Sequence, residues 1–304
     1  MISFTRLVVD RLPLWATLCG LAFLAVAGAG CAGRPVPAPP RAVAEAERLV
    51  AQASKLQAEE NWPGAADWWR RAGQQYQLLN RRGDVALARH NEGICRRAMG
   101  QLGVSHALLE EASAANRDLG RTNAWWRNQI ALLQLENESD LGRASARLES
   151  LEPRLAGIAE PSLVALLRHE EARTRAGQGR LPEALSASAR AAAAFQALGE
   201  AGGSAAVLLT RARIFQMRGD SVEAVAAWRE ALAAFERMGH PRGVAMSLSG
   251  LGVSLARGGG TREEAESILR RALENLAALK MEAESRVVQD ELGKLQTPPG
   301  NAVR

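Results

Sequence analysis

The chain has 304 residues, with 47% apolar residues, 23% charged residues and 4% aromatics. A buried core fits these values, whereas a polytopic membrane protein, a disordered chain or a collagen-like repeat does not. Lys plus Arg is 38 against 33 Asp plus Glu, a formal charge of +5. Only Lys55, Lys280 and Lys294 are lysines, so the excess is carried by Arg. So mild an excess, with no long basic run, argues for a solvated surface and against nucleic-acid binding.

In chain order, Arg6 and Arg11 precede an uncharged stretch from Leu12 to Gly33. A short basic region, an apolar region and small residues at its end make an export signal. Gly28-Ala29-Gly30-Cys31 resembles the lipobox of bacterial lipoproteins at Ala29, Gly30 and Cys31, while Gly28 departs from its usual branched residue. The resemblance implies a signal peptide over 1–30, diacylglycerol and palmitate on Cys31, and a mature chain that starts there. Ala32 follows the cysteine, and by the same analogy favours the outer membrane, facing the periplasm. Two alternatives stay open: ordinary cleavage at Ala27-Gly28-Ala29, or a retained anchor, since about 20 apolar residues span a bilayer. The Pro-rich run 34–40 then reads as an extended tether within 31–41.

From residue 42 onward a repeat emerges. Ala65, Ser105, Ala144, Ala184, Ala224 and Ala265 are spaced by 40, 39, 40, 40 and 41 residues. Seven residues after these anchors come Ala72, Ala112, Leu151, Ala191, Ala231 and Ala272. Twelve before come Ala53, Gly93, Leu132, Ala172, Ala212 and, after a one-residue gap, Gly252. Fifteen after come Asn80, Gly120, Ala159, Gly199, Gly239 and Lys280, a series suited to left-handed helix ends. Val225, Trp228, Leu232 and Phe235 form an apolar stripe at helical spacing. Asp220 with Glu223, and Thr261 with Glu264, have capping-box spacing. Each unit therefore reads as two antiparallel helices joined by a turn, and small anchors let the helices approach closely.

This pattern resembles the tetratricopeptide repeat (TPR), in a variant with a period near forty. The resemblance implies an all-α, right-handed α-solenoid of about six helix-turn-helix repeats over 42–295, with a C-terminal capping helix. Residues 296–304 read as a disordered tail. Units two and four depart from it, placing Arg89, Glu92 and Arg96, and Arg168, Glu171 and Arg175, where the family has apolar groups. These faces are exposed, or the register slips there. In unit three, Leu132 and Leu151 replace small residues. Cys95, among Ile94, Ala98 and Met99, reads as a small buried hydrophobe.

No Walker A, GxGxxG, HExxH or GxSxG motif occurs. His90, His106, His169 and His240 are far apart, and the acid pairs Glu110-Glu111 and Glu170-Glu171 read as solvated helix faces. The expectation is a non-enzyme with no cofactor and no metal site. By family analogy the first helix of each pair lines a groove. The groove positions that carry recognition chemistry are His90, Arg97, Trp126, Gln129, His169, Arg173, Arg213 and Gln216. Guanidinium groups there suit a carboxylate or an acidic peptide. The expected role is an envelope scaffold or assembly factor that binds a protein or peptide. The alternative is a non-lipidated or membrane-anchored regulatory module that binds peptides.

Overall fold

The computed structural model describes residues 40–296. The segment expected to be a signal peptide, Cys31, nearly all of the Pro-rich run and the expected tail beyond Gln296 lie outside the described residues. Within them the chain is helical throughout, with no strand, and no helix is long and apolar enough to cross a membrane. It divides into two compact units at residues 139 and 140.

The first unit holds α1 (Arg41–Ala58), α2 (Trp62–Leu78), α3 (Arg82–Ala98), α4 (Leu102–Asp118) and α5 (Thr122–Ser139). Each helix packs on the next, and α3 also touches α5. The second unit holds α6 (Leu141–Leu151), α7 (Pro161–Gly177), α8 (Leu181–Ala197), α9 (Ala201–Arg218), α10 (Ser221–Arg237), α11 (Pro241–Ser254), α12 (Arg262–Ala278) and α13 (Glu282–Gln296). Here too consecutive helices pack, while α7, α9, α11 and α13 touch in succession. Both units are thus consecutive antiparallel helix pairs of the solenoid class, and the helices expected to pair as repeat three, α5 and α6, fall one to each unit.

The period has a simple origin. A helix of 17 or 18 residues is followed by a short turn whose middle residue is left-handed: Glu60, Asn80, Gly100, Gly120, Gly179, Gly199, Gly219, Gly239 and Lys280 all have positive φ. Glycine meets no Cβ clash there, which explains its frequency at these turns. The expected series fails at Ala159. Pro153 has no N–H to donate and its ring disfavours a continuing α-helix. Accordingly α6 stops at Leu151 and a 3-10 turn, Glu152–Gly157, replaces its last turns.

All six anchors are fully buried. Ser105 is tolerated among alanines because its hydroxyl donates to the carbonyl of Gly93 at 2.8 Å. That partner lies twelve residues earlier, where the facing helix comes closest. A Cβ on Gly93 would lie 3.0 Å from Leu109, and one on Gly252 would lie 2.7 Å from Leu269. Small residues at these two positions therefore set the helix–helix distance. The α10 stripe buries Val225, Trp228 and Phe235, and α13 covers the last face with Val288 and Leu292. Glu282, Arg286 and Asp290 of α13 point to solvent, as a terminal cap requires.

Capping matches the expectation at one end only. Thr261 Oγ1 accepts from the Glu264 amide at 3.2 Å. Asp220 makes no such cap; its carboxylate takes Arg218 instead. The charged faces of units two and four are neither exposed nor out of register, since Gly93 and Ala172 are buried where expected. Ion pairs cover them. Arg96 Nη2 donates to Glu92 Oε1 at 2.9 Å. Glu171 accepts from Arg168 at 2.7 Å and from Arg190 at 2.9 Å, and Arg175 donates to Glu152 at 2.6 Å. Cys95 is buried.

Candidate functional site

In the first unit, α3 supplies His90 and Arg97, and α5 supplies Trp126 and Gln129. Helical spacing sets His90 and Arg97 two turns apart on one face. His90 is half-buried and joined to a polar chain. The Asn128 side-chain amide donates to its Nδ1 at 2.9 Å, while Asn128 Oδ1 accepts from Asn116 Nδ2 at 2.8 Å. With Nδ1 accepting, the imidazole is neutral and carries its proton on Nε2. Burial pushes its pKa down to about 4 from 6.5, with the charges of Arg127 and Arg97 acting in the same direction.

Arg97 is buried and donates through Nη1 to Gln134 Oε1 at 2.8 Å. Gln129 is buried too, its amide donating to Ser113 Oγ at 2.7 Å. Trp126 is 2% exposed and meets Trp125 edge-on, with ring centroids 4.9 Å apart. These three side chains are engaged in the packing of α3, α4 and α5.

In the second unit, α7 supplies His169 and Arg173, and α9 supplies Arg213 and Gln216. Thr210 Oγ1 lies 2.7 Å from His169 Nε2 and itself donates to the Ala206 carbonyl, so the ring Nε2–H donates to the hydroxyl. Burial pushes the His169 pKa down to about 4; Glu170 opposes the shift and Arg173 adds to it. Arg173 Nη1 donates to both oxygens of Glu170, at 3.0 and 2.7 Å, and Glu170 is fully buried. Arg213 is half-buried, and burial together with Arg173 pushes its pKa down to about 10. Gln216 is half-buried one turn further along α9. The fold thus brings Arg173 and Arg213 within electrostatic range of each other, beside His169.

The acid pairs separate into two kinds. Glu110 and Glu111 keep much of their exposure, as the sequence suggests. Glu170 and Glu171 do not; both are buried and paired with Arg, which corrects the solvated-face expectation. Sequence reasoning also missed Asn116, Asn128 and Thr210. Asn116 stands eleven residues after its anchor, where Tyr76, Phe195, Phe235 and Leu276 stand in other units. That lone polar residue in an otherwise apolar series was the available signal.

No family model matches the chain, and no curated protein matches it. Solved structures do. A Rap protein complexed with competence and sporulation factor aligns with 13% identity and a TM-score of 0.63, covering 85% of this chain and 76% of that one. The TPR2AB-domain:pHSP90 complex of yeast Sti1 aligns with 14% identity over 84% of this chain and all of that one. Its TM-score of 0.35 is too low to bear on the fold. With the Rap likeness and the observed helix pairs, the fold is TPR-like.

Proposed function

We infer that this chain is a non-catalytic docking protein of the bacterial cell envelope. Its helix pairs hold a protein or peptide partner, and lipid on Cys31 tethers it to the outer membrane, facing the periplasm. The observation that carries the reading is the six-fold ladder of buried anchors. Within each unit it repeats one packing solution and leaves first helices in contact, α3 with α5 in one and α7, α9 and α11 in succession in the other, an arrangement suited to grip an extended polypeptide. The Rap structure is itself of a complex with a bound factor. The paired guanidinium groups of Arg173 and Arg213 favour an acidic partner in the second unit.

The test has two arms. Cells expressing the wild type and Cys31→Ser are labelled with a fatty acid, and crosslinked partners are recovered from intact cells. Label on the wild type and none on the variant is expected; equal label removes the tether. Binding of an acidic peptide is then measured before and after Arg213→Gln. This variant leaves the Arg173–Glu170 pair in place, so the fold is kept. A loss of affinity of about tenfold is expected for one charge-assisted contact, and unchanged affinity removes the basic clamp.

A further inference from the structure

The sequence gives no metal motif, yet the first unit draws a mixed nitrogen and oxygen donor set together. His106 and Glu110 are one turn apart on α4 and share a face. Glu136 reaches them from α5. His106 Nε2 lies 3.4 Å from Glu136 Oε1 and 3.9 Å from Glu110 Oε1, and one donor atom from each residue lies within 4.8 Å of the others. Donors around a tetrahedral zinc ion, at about 2.0–2.2 Å from the metal, stand about 3.3–3.6 Å apart. The His106–Glu136 edge already has that length. The other edges close by rotation of Glu110, which is partly exposed and on a flexible stem.

We propose that His106, Glu110 and Glu136 form a binding site for a first-row divalent transition metal ion such as Zn2+, pinning α4 to α5. Two carboxylates balance the ion's charge. The imidazole presents its Nε2 lone pair with the proton on Nδ1, so the ion replaces the present contact between Nε2 and Glu136. A nitrogen donor among only three protein ligands selects against Mg2+ and Ca2+, which take six or more oxygens. Glu136 is buried and fixed by α5, while His106 and Glu110 face partly to solvent, which leaves an entry path and a position for water. The sequence hides this site because its third ligand is 26 residues beyond Glu110, on another helix.

The untagged full chain is stripped of metal and titrated with Co2+ as a spectroscopic probe, then with Zn2+ in competition. His106→Ala and Glu110→Gln are treated alike, with circular dichroism confirming their helix content. Glu136 is left intact because it is buried. The expected result is one saturable equivalent in the wild type, with the intense visible bands of low-coordinate Co2+. Zn2+ displaces it and millimolar Mg2+ does not. Each variant weakens binding by at least about tenfold. Absence of saturable binding by the wild type, or wild-type affinity in Glu110→Gln, overturns the site and leaves the three residues a hydrogen-bonded group only.

Discussion

Gly250 sits in the middle of α11, where alanine ordinarily improves a helix by about 1 kcal/mol. Here the replacement should do the opposite. A Cβ on Gly250 would lie 2.3 Å from both Cε2 and Cζ2 of Trp228, and 2.6 Å from Cη2. Those are ring atoms of a buried side chain on α10, so no flexible end can swing aside. The ring must tilt or the helices must part, and overpacking of this kind costs about 1–3 kcal/mol. An approach of 2.3 Å to rigid ring atoms belongs in the upper part of that range, about 2–3 kcal/mol, so after the propensity gain the net loss for Gly250→Ala is about 1–2 kcal/mol. For a unit of this size that lowers Tm by about 2–8 °C. Thermal and urea denaturation followed by circular dichroism measure it, with Gly103→Ala as the control, because a Cβ there meets nothing within 4 Å. Adding Trp228→Leu should remove the penalty, so that alanine at 250 becomes neutral or favourable in that background. Stability at or above wild type for Gly250→Ala alone would refute the claim that close approach, not helix propensity, put glycine there.

Two further outcomes follow from the buried polar groups. His90 and His169 stay neutral in the folded chain down to about pH 4, whereas the unfolded chain protonates them below 6.5. Their contribution is therefore complete above pH 6.5 and is lost as pH falls towards 4; between about pH 7.5 and about pH 5 the loss is about 2 kcal/mol for buried His169 and less for half-buried His90. Urea midpoints at the two pH values should fall accordingly in the wild type and fall less in His169→Gln, and a flat wild-type profile would contradict the burial of these rings. Glu170→Ala leaves the Arg173 guanidinium beside an emptied, buried position, and should cost about 3–5 kcal/mol in the same assay. A change below about 1 kcal/mol would mean the pair is solvated.

Much of the architecture was legible in the residues. The alternation of helix and turn, the anchors at Ala65 through Ala265 and the left-handed ends at Asn80, Gly199 and Gly239 all stand where spacing put them. The reason is that these features are local or nearly so. A turn needs a residue that tolerates positive φ, and a close helix pair needs a small residue at a fixed offset. Pro153 is local too, and there the breaker overrides the periodic pattern: α6 ends at Leu151 although the repeat alone would carry it further.

The polar groups are where sequence stopped and tertiary structure decided. A charged residue on a helix looks the same in sequence whether it faces water or a partner, so Glu170 and Glu111 could not be told apart. Contacts between different helices separate them: Glu171 is reached by Arg190, Arg175 by Glu152, and Asn128 by both His90 and Asn116. The same holds for His106, Glu110 and Glu136, three unremarkable residues until α4 and α5 pack. Backbone punctuation and small-residue spacing fix where helices begin, end and touch. Which charges are buried, paired or poised for a ligand depends on long-range proximity, which no one-dimensional pattern records.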